Sequence, residues 1–106
     1  MKILFDQGTP VPLRKLLPDH SIITAYERGW QTLENGDLIA AAEADGFDVI
    51  ITTDQNLKYQ QNLTDRGISI LVLSSTSWPR IRENATAISE ALDKIAPASF
   101  LEIKIK

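Results

Sequence analysis

The sequence predicts an α/β domain built on a mainly parallel sheet of about five strands, with helices on both faces. Three observations carry that expectation. Short β-branched apolar runs alternate with helical patterns about five times along the chain. Runs such as Val49-Ile-Ile and Ile68-Ser-Ile-Leu-Val-Leu73 are apolar almost throughout, as strands buried on both faces must be. No repeat or low-complexity linker interrupts the 106 residues, of which 43% are hydrophobic and 24% charged, so one domain spanning 1–106 can enclose one core. Right-handed crossovers between such strands make the fold doubly wound.

Residues 2–6 read as the first strand. In Thr9-Pro10-Val-Pro12, Thr9 can cap a helix and Pro10 can occupy its first position, with Leu13, Leu16 and Leu17 as the apolar face. Pro18-Asp19 breaks that helix, and Ser21-Ile-Ile-Thr24 forms a short strand leading to Ala25-Tyr-Glu-Arg28, closed by Gly29. Asn35 caps a helix from about Gly36 to Asp45, with Leu38, Ile39 and Ala42 inward and Gly46 as terminator. A strand over 48–53 follows, then a helix opened by Gln55 or Asn56 and running to Arg66, then a strand over Ile68–Leu73. After the polar loop Ser74–Ser77, one long amphipathic helix carries Ile81, Ala85, Ile88, Leu92 and Ile95 and ends near Pro97. The last segment, Phe100–Lys106, sets Leu101, Ile103 and Ile105 against Glu102 and Lys104, the alternation of a half-exposed edge strand.

Composition narrows the chemistry. Apolar runs of about five residues fall far short of the ~20 that span a bilayer, and the N-terminus has no signal-like stretch, so a cytoplasmic protein without a membrane is expected. Zero cysteines exclude disulfides and thiolate metal sites, and the single His20 excludes a histidine cluster on one chain. Any metal must therefore be bound by oxygen. A net charge of −3 and a pI near 5.0 give no global attraction to nucleic acid, leaving only local basic contacts.

Three aspartates stand out. Asp6 ends the first apolar run, Asp54 ends Val49-Ile-Ile-Thr-Thr, and Asp37 lies in the first turn of the helix after Asn35. In open α/β sheets ligands bind beyond the carboxyl ends of the strands, which is where Asp6 and Asp54 are expected; Asp37 joins them if its helix starts on that side. Gathering such charges without a cation is unfavourable, since two carboxylates ~4 Å apart repel by about 4 kcal/mol at an effective dielectric near 20. Mg²⁺ or Mn²⁺ relieves the repulsion and can orient water for attack on a phosphodiester.

At these residues the chain resembles the PIN-like nuclease superfamily, and more closely its small bacterial branch of the DUF5615 type. The resemblance rests on Ile3-Leu-Phe-Asp6-Gln-Gly-Thr-Pro10, Asn35-Gly-Asp37-Leu-Ile and Gly46-Phe-Asp-Val-Ile-Ile-Thr-Thr-Asp54-Gln-Asn-Leu57, and covers almost the whole chain. It implies a compact Rossmann-like domain, ribonuclease activity with Mg²⁺ or Mn²⁺ held by Asp6, Asp37 and Asp54, an RNA substrate, and often a place in a toxin–antitoxin pair with a cognate antitoxin. Where such nucleases often carry a fourth acidic residue, this chain has the neutral Gln55 and Asn56.

Each aspartate also has a structural role open to it. Asp6 can accept backbone N–H bonds in the Gln7-Gly8-Thr9 turn, Asp37 can complement the helix dipole, and Asp54 can cap the next helix. Asp19, Asp45, Asp48, Asp65 and Asp93 fall at turns or the opposite strand ends, and His20 reads as a surface residue. Among Arg14, Lys15, Lys58 and Arg66, Lys58 is best placed for a phosphate contact, with Asn56 as ligand support; Tyr59-Gln-Gln-Asn62 can stack or hydrogen-bond bases, or form an ordinary helix face. Trp30 and Trp78 read as core or interface anchors, and Ser74–Ser77 as a phosphate loop or a helix cap. Two other functions remain open: a catalytically silent PIN-like domain that binds a partner, and a receiver-like phosphoacceptor domain, disfavoured because Gln7 follows Asp6 where receivers have a second acid. The edge strand and the tryptophans suggest a homodimer.

Overall fold

A computed structural model describes residues 1–55 and 67–106, save the side chain of Asn35. The helix expected over 56–66, and with it Asn56, Lys58 and Tyr59–Asn62, lies outside the described residues. Five strands, β1 (Lys2–Phe5), β2 (Ser21–Thr24), β3 (Val49–Thr52), β4 (Ser69–Leu73) and β5 (Phe100–Ile103), form one sheet in the order β2-β1-β3-β4-β5. Every pairing is parallel. The fold is thus the α/β, Rossmann-like sheet with helices on both faces that the sequence predicts.

The apolar runs explain why the strands lie inside. Successive side chains alternate across a sheet, so Ile3, Phe5, Val49, Ile51, Leu71 and Leu73 point to one face and Leu4, Ile50, Ile70 and Val72 to the other. A 3-10 helix over Val11–Leu16 covers the first face together with α2 (Trp78–Glu83) and α3 (Ala85–Lys94), through Leu13, Leu17, Ile81, Ile88 and Leu92. On the second face α1 (Asn35–Ala44) packs Leu38, Ile39 and Ala42. Trp78 packs against the first cluster and Trp30 against the second, where its ring meets Phe47 edge to face at 6.1 Å. Both tryptophans are core anchors.

Four local expectations need correction. The helix after Thr9 is 3-10 rather than α, and Leu16 is 41% exposed while Leu13 and Leu17 are buried. Pro18 explains this: it disfavours helical geometry at Leu17, which sits at φ −126° and ψ 58° and turns back to the sheet. The helix expected to continue to Pro97 is two helices broken at Asn84. Its Nδ2 donates to the Arg80 carbonyl at 2.8 Å and its own carbonyl accepts the Ile88 N–H at 3.1 Å, so one residue closes α2 and opens α3. In the last segment the expected alternation holds at Ile103 and Ile105, which pack on the first cluster, but in β5 Leu101 is exposed and Phe100 packs on the α1 side of this edge strand. Glu34, not Asn35, is the N-cap of α1. At its far end Gly46, at φ +82°, allows Gly46 and Phe47 to donate to Glu43 and Ala42, a Schellman closure.

Strand order positions the site. From β1 the chain moves outward to β2 and then returns past β1 to β3, so the carboxyl ends of β1 and β3 flank the point where the winding reverses. His20, near the Met1 amino group, and Asp48, which accepts the Lys2 N–H at 2.9 Å, lie at the opposite edge. No helix among the described residues is long and apolar enough to cross a membrane.

Candidate functional site

Asp6 follows β1 directly, and a four-residue turn fixes its carboxylate. Its N–H donates to the Ile51 carbonyl at 3.2 Å, which ties the turn to β3, and its own carbonyl accepts the Thr9 N–H at 3.2 Å. Oδ1 accepts the Gly8 N–H at 3.2 Å and stands 2.9 Å from Thr9 Oγ1. Thr9 Oγ1 is also 2.8 Å from the Ile51 carbonyl, and its single proton can serve only one of the two acceptors. Gly8 leaves room for the Thr53 hydroxyl, which would have to shift if position 8 carried a Cβ.

The other carboxylate oxygen leads to the second aspartate. Asp6 Oδ2 accepts a hydrogen bond from the Thr52 hydroxyl, whose oxygen accepts the Asp54 N–H at 3.0 Å. Thr52 is buried while Asp6 and Asp54 are half-buried, so the relay from Asp54 N–H through Thr52 to Asp6 runs from the core to the sheet edge. Burial pushes the Asp6 carboxyl above the ordinary aspartate range; its bonds to Thr52, Thr9 and Gly8 oppose this, and the Asp54 charge adds to the rise. The fold thus joins Asp6 and the Asp54 backbone through one threonine hydroxyl.

Asp37 stands exposed in the first turn of α1, where it complements the helix dipole. A cavity of about 150 Å³ between Gly8 and Leu38 separates the Asp6 turn from the start of α1, and Asp37 is not in its lining. Among the described residues no three acidic or histidine side chains converge as a metal-holding group. Two carboxylates nevertheless suit Mg²⁺, which commonly takes one or two from protein and completes its shell with water and substrate phosphate. Among the described residues Asp6 Oδ2 accepts one hydrogen bond, from Thr52, and a carboxylate oxygen has a second lone pair that could serve a cation.

Neighbouring groups are already engaged. Arg14 pairs with Glu27 at 2.7 Å. Gln55 Nε2 donates to the Ser74 carbonyl at 2.9 Å, linking the loops after β3 and β4. Ser74 Oγ accepts the Ile105 N–H at 2.7 Å, and Ser77 takes the N-cap position of α2 without a side-chain bond. Sequence reasoning missed Thr52 and Tyr26. The double threonine before Asp54 reads as strand composition, though hydroxyls at a strand end beside a carboxylate are its natural partners. Tyr26 sits inside Thr24-Ala-Tyr-Glu27, a capping-box spacing. Comparison of the chain with protein-family models, curated proteins and solved structures finds no significant match.

Proposed function

We propose that this chain is a metal-dependent ribonuclease that hydrolyses RNA phosphodiester bonds at the carboxyl edge of its sheet, in keeping with its resemblance to PIN-like nucleases. The observation that carries the reading is the Asp6–Thr52–Asp54 relay: a half-buried carboxylate, raised in proton affinity by burial and by a second carboxylate, at the winding reversal of an α/β sheet. Asp6 and Asp54 would hold Mg²⁺ or Mn²⁺, while the exposed Asp37 does not converge with them among the described residues and is left outside that pair. Such an ion supplies charge neutralisation at the leaving oxygen and activation of water. The chain's own contribution is positional. Gly8, Thr9 and Thr52 hold Asp6 in one orientation, and Thr52 fixes the backbone from which the Asp54 side chain projects. By the same resemblance, the protein would act as the toxin of a toxin–antitoxin pair.

A second reading is favoured by the same hydrogen bonds. Asp6 makes a complete Asx-type turn, a purely structural use that suits a PIN-like domain acting by binding a partner. Single-stranded RNA incubated with the purified protein and Mn²⁺ separates the two. Cleavage is expected from wild type and lost in Asp6→Asn and Asp54→Asn, with circular dichroism showing both variants folded. Equal behaviour of all three proteins, whether cleaving or silent, would refute a catalytic site here.

A further inference from the structure

Tyr26 is 73% exposed, a large aromatic side chain left in water. A single exposed aromatic is ordinary on a protein surface. The backbone beneath this one is not ordinary. The Thr24 hydroxyl accepts the Glu27 N–H at 3.0 Å while the Glu27 carboxylate accepts the Thr24 N–H at 2.9 Å, a reciprocal capping box. At the other end Gly29, at φ +74°, lets Gly29 and Trp30 donate to the Tyr26 and Ala25 carbonyls at 3.0 and 2.8 Å, a Schellman closure. One helical turn is thus capped at both ends, and Arg14 clamps Glu27 from the 3-10 helix. The fold ties down by hydrogen bonds the backbone of a residue whose side chain it leaves largely exposed.

A cleft of about 340 Å³ lies beside it, lined by Tyr26, Val11, Gln7, Thr9, Thr24 and Asp6. Val11, 48% exposed, adds a second apolar surface. Gln7 is exposed, and its amide can both donate and accept, as the edge of a base requires. Asp6 makes the cleft continuous with the proposed cation site. We propose that this cleft seats one unpaired nucleobase of single-stranded RNA, stacked on Tyr26 beside the phosphate at Asp6 and Asp54. The proposal rests on the ribonuclease reading for its choice of ligand.

Single-stranded RNA is the form that fits, because a base paired in a duplex has its faces covered and only an unstacked base can offer one to an aromatic ring. An anionic lipid headgroup fits poorly, since among the described residues the cleft brings a carboxylate and no cationic side chain. The base face, which is neutral, can be bound with or without the divalent ion. A pre-set backbone also lowers the ordering that stacking requires.

Two measurements test this, one free of metal and of catalysis. Adenosine, which has no phosphate, is titrated into metal-free protein while the Tyr26 ring resonances are followed by NMR. Shifts at Tyr26 that saturate in wild type, persist at the new ring in Tyr26→Trp and leave no binding at the cleft in Tyr26→Ala support the proposal. Absence of any shift at Tyr26 up to the solubility of adenosine overturns it, even if the protein cleaves RNA. In Mn²⁺-dependent cleavage, Tyr26→Ala is expected to raise KM for single-stranded RNA by roughly 5- to 150-fold, the range set by loss of one base–aromatic stack, with Tyr26→Trp near wild type. An unchanged KM in Tyr26→Ala overturns the base site and leaves the nuclease reading standing. Adenosine bound at Tyr26 in a protein that cleaves no RNA does the reverse.

Discussion

Replacing Thr52 with Val removes the hydroxyl that joins the two aspartates while keeping the side chain's shape. In the wild type that hydroxyl donates to Asp6 Oδ2 and accepts the Asp54 N–H at 3.0 Å, in a position only 1% exposed. The lost bond to a charged acceptor is worth about 1.5–3 kcal/mol, and the stranded Asp54 N–H adds about 1–3 kcal/mol. The new methyl returns about 0.8 kcal/mol by burial. A net loss of about 2–5 kcal/mol follows, which at about 4 °C per kcal/mol for a domain of this size lowers Tm by about 8–20 °C. Urea unfolding of wild type, Thr52→Val and Thr52→Ser measures it, and Thr52→Ser, which keeps the oxygen, should recover most of the loss. The pH dependence has a definite sign. The Thr52 bond holds the Asp6 carboxyl down against burial, so in Thr52→Val the folded-state pKa rises further above the unfolded one. The variant's disadvantage is full above its folded pKa and shrinks as pH falls through it, because a protonated Asp6 no longer needs the charged bond. A loss under about 0.5 kcal/mol at neutral pH, within the range of an ordinary surface substitution, would refute the relay.

Gly8→Ala places a Cβ against the Thr53 hydroxyl, and overpacking of this kind costs about 1–3 kcal/mol; thermal melts should show the cost in wild type and its relief in a Thr53→Ala background. The Glu27 carboxyl is held below its usual range by the Thr24 N–H and then by Arg14, so its contribution to the 25–29 turn is present above the unfolded glutamate value and fades as pH falls through the lowered one. The protection factor of the Thr24 amide, which donates to that carboxylate, should fall over that acidic window in wild type, and Glu27→Gln should show no such step.

Much of this fold is legible because buried parallel strands leave a simple trace. Val49–Thr52 and Ser69–Leu73 are covered on both faces, and continuous apolar runs are what that environment demands. The places of Asp6 and Asp54 follow from the strand ends alone, since a residue just past a parallel strand has little choice of edge. Asp37 is different. Its relation to Asp6 depends on how the segment between Gly29 and Asn35 packs, and a tertiary arrangement of that kind leaves no periodic signal. The break at Asn84 was hidden because Ile81, Ile88 and Leu92 keep one face across it, while the competing bond is made by a single polar side chain. The turn under Tyr26 was readable in principle. Thr24, Glu27 and Gly29 stand at the spacing that two end caps require.

The two readings of Asp6 are physically linked. An Asx turn needs only an acceptor, and an asparagine at position 6 would accept the Gly8 N–H and the Thr9 proton equally well. What a neutral amide could not do is balance the second oxygen. Its NH₂ would face a Thr52 hydroxyl that already accepts the Asp54 N–H, forcing that hydroxyl to reverse its role. The fold thus keeps an ionisable group at a burial and a charge proximity that both oppose its ionisation, where a neutral side chain would serve the turn at lower electrostatic cost. Thr52 and Thr9 offset only part of that opposition, and a divalent cation at Asp6 and Asp54 would reverse the rest. The unfavourable charge is therefore the feature that favours a functional site over a turn alone.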